Sequence, residues 1–234
     1  MIQLDFGPKW FYLPTMAIDA ISLLVVLAIA LVAYEYYKID KDRKSYLHLS
    51  VAFFFISAAI FFKILNNIPV YYDFFASKDL GVVNDVVEGV RGFNIFANIS
   101  FSLFVMLHLI GLYLLYNVYE TRKSRKTSFI VIYLIIILSY FSLLAYYVFH
   151  FTSFVLLMLV TSIFIKKCNL QSNKNTKLLA YGFGTLAVSS LIFMFILLNP
   201  MIYVAAELIH LIGFGLLLSA LLGILKHGKK KDQN

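Results

Sequence analysis

Glu207 and His210 stand three residues apart in "VAAELIHLIGFGLLLSALLGILK" (204–226), a stretch that is otherwise almost wholly apolar. On a helix that spacing places both groups on one face, where a carboxylate and an imidazole can share a proton, bind a cation or contribute to a metal site. Other groups of the same kind are embedded in apolar runs: Asp19, Lys63, Asn94, Asn98 and His108. A charge at the centre of a bilayer costs at least ~2.5–3.5 kcal/mol on insertion scales, so such residues face a bundle interior and pair there. These seven residues are the expected ligand-binding or proton-handling set. They predict a polar pocket open to the outer face, walled by helices one, two, three and seven, with His108 and His210 as its floor. Two simpler roles stay open: an Asp19–Lys63 structural ion pair, and histidines that only bond a Ser, an Asn or a carbonyl on a neighbouring helix.

The elements that must position these groups are membrane spans. Hydrophobic residues make up 62% of the 234 residues, charged ones only 14%, and the mean hydropathy is +0.86. Soluble domains carry roughly 25% charged residues. Apolar runs approach the ~20 residues that a helix needs to cross the hydrocarbon core, and the alternation of a barrel strand is missing. The expected fold is therefore an all-α integral membrane protein, a seven-transmembrane-helix bundle forming one polytopic domain over 1–234. The spans fall near 12–37, 46–66, 93–118, 128–148, 150–166, 178–198 and 201–225, with an outer loop at 67–92 and a tail at 226–234. The charge-free stretch from Ser128 to Ile165 would run about 57 Å as one helix, too long for one crossing, and "HFTS" (150–153) is the expected turn.

Charge predicts orientation. Sixteen of the twenty Lys and Arg residues fall on one side: Lys38 to Lys44, Arg122 to Lys126, Lys166 to Lys177 and the terminal cluster from Lys226. Basic residues near span ends mark the cytoplasmic side, so the N-terminus is expected outside and the C-terminus inside. The net charge of +8 is then spread over short loops facing anionic lipid rather than gathered on a nucleic-acid surface. Cys168 is the single cysteine, which excludes an internal disulfide. No cleavable leader is evident, and the first span reads as an uncleaved anchor. His48 and His150 are expected near the membrane surfaces and His227 in the tail, all solvated. Tyr34, Tyr36, Tyr37, Tyr46, Tyr71 and Tyr72 read as interfacial belts, and Gly182, Gly184, Gly213 and Gly215 as points of close helix approach.

An internal repeat is expected as well. "LHLIGLYLL" (107–115) and "IHLIGFGLL" (209–217) share His-Leu-Ile-Gly, and "SAAIFFKILNNIPVY" (57–71) aligns without gaps to "SSLIFMFILLNPMIY" (189–203). This predicts a 3+1+3 parallel internal repeat, helices one to three matching five to seven with helix four as linker. In layout it resembles the SWEET sugar transporters, whose parallel repeats are related by an axis along the membrane normal. The Pro-Gln dipeptide of their PQ-loop relatives is missing. "ELIHLIGFGLLL" (207–218) in turn resembles the last helix of microbial rhodopsins, with Glu207 at the position of an Asp. Leu211 stands where that family needs its retinal-binding Lys, and no Lys lies within the helix, so the resemblance implies no retinal.

Four functional readings follow. The favoured one is a small-ligand or proton-responsive sensor or receptor-like protein, acting through a cytoplasmic partner protein because the tail is short. The spans contain no internal proline, which suits discontinuous transport helices poorly. The second is a small-solute or proton-coupled transporter built on the repeat. The third is a membrane haem or metal protein with His108 and His210 as ligands from facing helices. An enzyme is the least favoured, because one Glu-x-x-His without a second histidine on that helix specifies little. The segment "VVNDVVEGV" (82–90) reads as a short amphipathic lid over the pocket or as simple packing. The expected location is the plasma membrane.

Overall fold

In the computed structural model, residues 7–42, 44–76, 86–119, 125–141, 146–171 and 174–231 are described. For Lys9 and for 68–76, 86–95, 125–130, 170–171 and 224–231 that description covers the backbone alone. Among the described residues, a 3-10 turn at Lys9–Phe11 is followed by seven helices: α1 Tyr12–Ile39, α2 Lys44–Ala76, α3 Val86–Tyr119, α4 Arg125–Phe141, α5 Tyr146–Gln171, α6 Lys174–Phe193 and α7 Pro200–Lys231. No strand occurs among the described residues. Six of the helices are long and apolar enough to cross a membrane; α4 contributes only the shorter apolar stretch Val131–Phe141. Leu24, Phe54, Phe151, Tyr181, Ile212 and Leu222, on five different helices, are exposed. A water-soluble bundle would bury such residues, whereas lipid solvates them. The chain is an all-helical integral membrane protein.

The helices pack as two triplets. α2 lies against α1 and α3, α6 lies against α5 and α7, and the triplets meet along α1 with α7 and α3 with α5; α4 sits outside against α3 and α5. Small residues permit the closest approaches. A Cβ on Gly182 of α6 would come 2.7 Å from Leu217 and 3.3 Å from the Gly213 carbonyl, and one on Gly213 of α7 would come 2.7 Å from Leu186 and 3.3 Å from the Gly182 carbonyl. Gly111 on α3 faces Ile56 and the Ala52 carbonyl of α2 in the same way. Ser50 adds an interhelical hydrogen bond, donating to the Ala30 carbonyl at 2.8 Å.

Several boundaries differ from the sequence expectation. "HFTS" lies inside α5, not at a turn, and the break falls at 142–145, outside the described residues. The short helix is consequently α4, at 17 residues, while α5 runs for 26. Neither Pro, Gly nor charge marks the break within this apolar stretch, so composition could not place it. α2 and α3 extend into the expected outer loop, so that Val86 to Val90 opens α3; the rest of the lid segment lies outside the described residues. α7 likewise continues through the expected tail to Lys231. α6 stops earlier than expected, at Phe193, where the chain tightens into turns bonded from Met194 to Leu191 and from Phe195 to Ile192. Asn199 then caps α7, its Oδ1 accepting from the Met201 N–H at 2.8 Å, with Pro200 at the first helical position.

The glycine contacts also bear on the repeat. When His108-Leu-Ile-Gly111 is matched to His210-Leu-Ile-Gly213, packing equates Ala52 with Gly182 and Ile56 with Leu186. That register is two positions away from the gap-free alignment of 57–71 on 189–203. Sequence matching in an apolar helix rewards shared Phe, Leu and Ile on any face, whereas packing selects one face.

A candidate polar site at the junction of the triplets

The site begins with α1. Tyr12, Thr15, Asp19 and Ser22 recur at helical spacing and are all buried, forming one stripe. Thr15 satisfies its hydroxyl locally, donating to the Phe11 carbonyl at 2.9 Å. Asp19 instead accepts from Lys63 of α2, with Nζ 2.7 Å from Oδ1. The same ammonium lies 2.6 Å from Glu207 Oε1 on α7. Both carboxylates are almost completely buried and Lys63 is mostly so. The three groups thus form a triad that joins the triplets where α1 meets α7. Lys63 does not snorkel away from it: two charge-assisted hydrogen bonds in a weakly polar setting outweigh the entropy of the free side chain.

A cavity of about 40 Å³ adjoins the triad. Six helices line it: Asp19 and Ser22 from α1, Ile60 and Lys63 from α2, Phe104 and His108 from α3, Tyr146, Phe149, His150 and Ser153 from α5, Ser190 and Phe193 from α6, and His210 and Phe214 from α7. A second, apolar cavity of about 10 Å³ also borders His108 and His210 and is lined by Phe53, Ile56 and Leu112 among others. The two imidazoles therefore stand between a polar chamber and an apolar one. Aromatic rings hold them there: Phe149 meets His108 edge-on at 5.5 Å, and Phe214 meets His210 at 4.8 Å. Ser189 anchors His210, with Oγ 3.2 Å from Nδ1, while also donating to the Ala206 carbonyl at 2.9 Å.

Five buried polar atoms around the chamber have no hydrogen-bond partner among the described residues: Asp19 Oδ2, Ser22 Oγ, His108 Nδ1, His150 Nε2 and Ser153 Oγ. Buried polar atoms are nearly always paired, so a concentration of five around one cavity marks a place where water or a ligand completes the bonding.

Of the seven residues predicted from sequence, five converge here: Asp19, Lys63, His108, Glu207 and His210, the first four pocket-lining or ion-paired and His210 on the shared wall. Asn98 does not join them and is exposed. Ten residues at 3.6 per turn leave it about 80° around α3 from His108, too far to share a face. Asn94 lies in α3, but its side chain is outside the described residues. The expectation that helices one, two, three and seven wall the pocket is corrected to six helices. His150, expected to be solvated near a surface, is buried and stacks on Phe193 at 4.7 Å. It was missed because the turn was placed on it. The spacing Asp19-x-x-Ser22 on α1 and His150-x-x-Ser153 on α5 was the available signal.

The opening pair Glu207 and His210 acts on two different neighbours, Lys63 and Ser189, rather than as one Glu-x-x-His unit. Among the described residues no three His, Cys, Asp or Glu side chains are grouped to hold a metal ion. The chamber bordered by His108 and His210, at about 40 Å³, is much smaller than a porphyrin. No family model, curated protein or solved structure matches the chain.

Proposed function

We propose that this protein is a receptor-like membrane sensor that takes a small polar ligand or a proton into the central chamber. The single observation that carries this reading is the set of five unpaired buried polar atoms around one cavity at the junction of two helix triplets. A ligand completing those bonds favours one mutual packing of the triplets over another, which is how binding biases a two-state bundle. The Lys63 triad crosses the same junction and is the natural element to respond. In this reading the N-terminus is outside, the C-terminus is cytoplasmic, the bilayer is the plasma membrane, and the output passes to a partner protein at the basic inner face. Exposed Lys38, Lys41, Lys44, Lys166, Lys167, Lys174 and Lys177 support that orientation.

A transporter is the second reading, favoured by the reciprocal packing of the triplets. α1 meets α7 as α5 meets α3, which is the relation that a parallel 3+1+3 repeat produces. The end of α6 at Phe193, a residue of the chamber wall, supplies an interruption of the kind transport helices use.

The test is thermal stability of purified protein in lipid nanodiscs against a panel of small polar solutes, followed by flux of any stabilising solute into proteoliposomes. A saturable rise in Tm without flux supports the sensor, and flux replaces it with the transporter. A panel without any saturable response, together with no proton uptake on titration, overturns both.

A further inference from the structure

The chamber has a charge imbalance that the chain leaves open. Asp19 and Glu207 bring two carboxylates against one ammonium, Lys63, so with both carboxylates ionised and the imidazoles neutral the triad carries one surplus negative charge. A lone charge in so weakly polar a setting is costly, and it is offset either by protonation of one carboxylate or by binding a cation. The unpaired atoms point the same way. Asp19 Oδ2 accepts only, Ser22 and Ser153 hydroxyls accept readily, and the free nitrogens of His108 and His150 accept in the appropriate tautomer.

We infer that the chamber is a binding site for a compact primary-ammonium cation, ammonium itself or methylammonium, seated on the free oxygen of Asp19. This rests on the ligand-chamber reading above and names its ligand class. Three features select that class. Imidazole nitrogens pair with N–H donors, whereas a hard alkali cation would use only the oxygens of Asp19, Ser22 and Ser153 and leave the nitrogens of His108 and His150 unpaired. Phe104, Phe149 and Phe193 line the chamber, and an ammonium group is attracted to whichever aromatic face is turned towards it. A volume of about 40 Å³ has room for roughly three waters at ~10–15 Å³ each, enough for ammonium with water or for methylammonium, and too little for a sugar. Anions are disfavoured because Lys63, the one cationic donor among the described lining residues, is already engaged by two carboxylates.

The experiment compares chloride salts of ammonium, methylammonium, sodium and tetramethylammonium at matched ionic strength and pH 7.5, reading Tm of the full chain in nanodiscs. Ammonium and methylammonium give a saturable rise; sodium and tetramethylammonium do not. Asp19→Asn keeps the shape but removes the surplus charge, and raises the half-saturating concentration at least tenfold. Should that variant fail to fold, Ser153→Val, which narrows the chamber from α5 away from the triad, abolishes the saturable response. An equal response to sodium, or an unchanged response in Asp19→Asn or Ser153→Val, overturns the inference. Stabilisation by neutral or anionic solutes alone, or uptake of a single proton with no cation response, overturns the ammonium class and leaves the ligand chamber standing.

Discussion

Lys63 and Glu207, separated by most of the chain, meet at 2.6 Å across the junction of the two triplets. The contact joins α2 to α7, helices that otherwise have little to do with each other, and Asp19 holds the same ammonium from α1. Position, rather than strength alone, gives this triad its significance: it spans the junction, and two of its members, Asp19 and Lys63, line the chamber.

Lys63→Met removes the cation and leaves two buried carboxylates facing each other. The expected loss is about 3–5 kcal/mol, the range for breaking a buried pair from one side. Lys63→Met combined with Glu207→Gln recovers part of it. Unfolding in mixed micelles, followed by circular dichroism, checks both, and additive losses would show that the triad is not a unit.

Gly213→Leu drives a large side chain against Leu186 and the α6 backbone, so α6 and α7 must separate. A loss of about 1–3 kcal/mol or more is expected from overpacking. At Gly215 nothing lies within 4 Å of a Cβ, and Gly215→Ala is neutral or stabilising by up to about 1 kcal/mol through helix propensity. Melting temperatures of the two variants, measured side by side, separate close packing from general sensitivity of α7.

Ser189→Ala removes the hydroxyl that touches His210 Nδ1 and the Ala206 carbonyl. Stability falls by about 1–2 kcal/mol, and the imidazole gains rotational freedom. Nitrogen NMR of histidine-labelled protein is expected to move the His210 resonance and leave that of exposed His48 in place.

Cys168 tests the proposed orientation without any engineered residue. It is the only cysteine and lies partly exposed near the end of α5 beside Lys166 and Lys167. With the C-terminus cytoplasmic, a membrane-impermeant maleimide labels it only after cells are permeabilised. Labelling of intact cells would reverse the orientation.

Much of the architecture was legible in the sequence because lipid imposes one-dimensional rules. An apolar run of sufficient length must be a helix, and an ionisable residue inside it must find a partner. Asp19, Lys63, Glu207, His108 and His210 were recognisable on that basis alone. His150 was not, since its apolar surroundings contain no Pro, Gly or charge to show that one helix ends at Phe141 and the next begins at Tyr146. Asn98 departs for the opposite reason: its polarity is visible in the sequence, but it lies about 80° around α3 from His108 and is exposed.

By itself, then, the sequence determined that the chain is a helical membrane protein and that several ionisable residues within its apolar runs required partners, because transfer free energy depends on residue type and run length. The tertiary structure alone decided that Lys63 would serve two carboxylates, that His210 would turn to Ser189 rather than to Glu207, and that α5 and α6 would complete the chamber. Those outcomes depend on which helix faces meet, and faces are chosen by close packing at residues such as Gly111, Gly182 and Gly213. In an apolar solvent every face is equally hydrophobic, so shape complementarity between helices, which no single helix encodes, makes that choice.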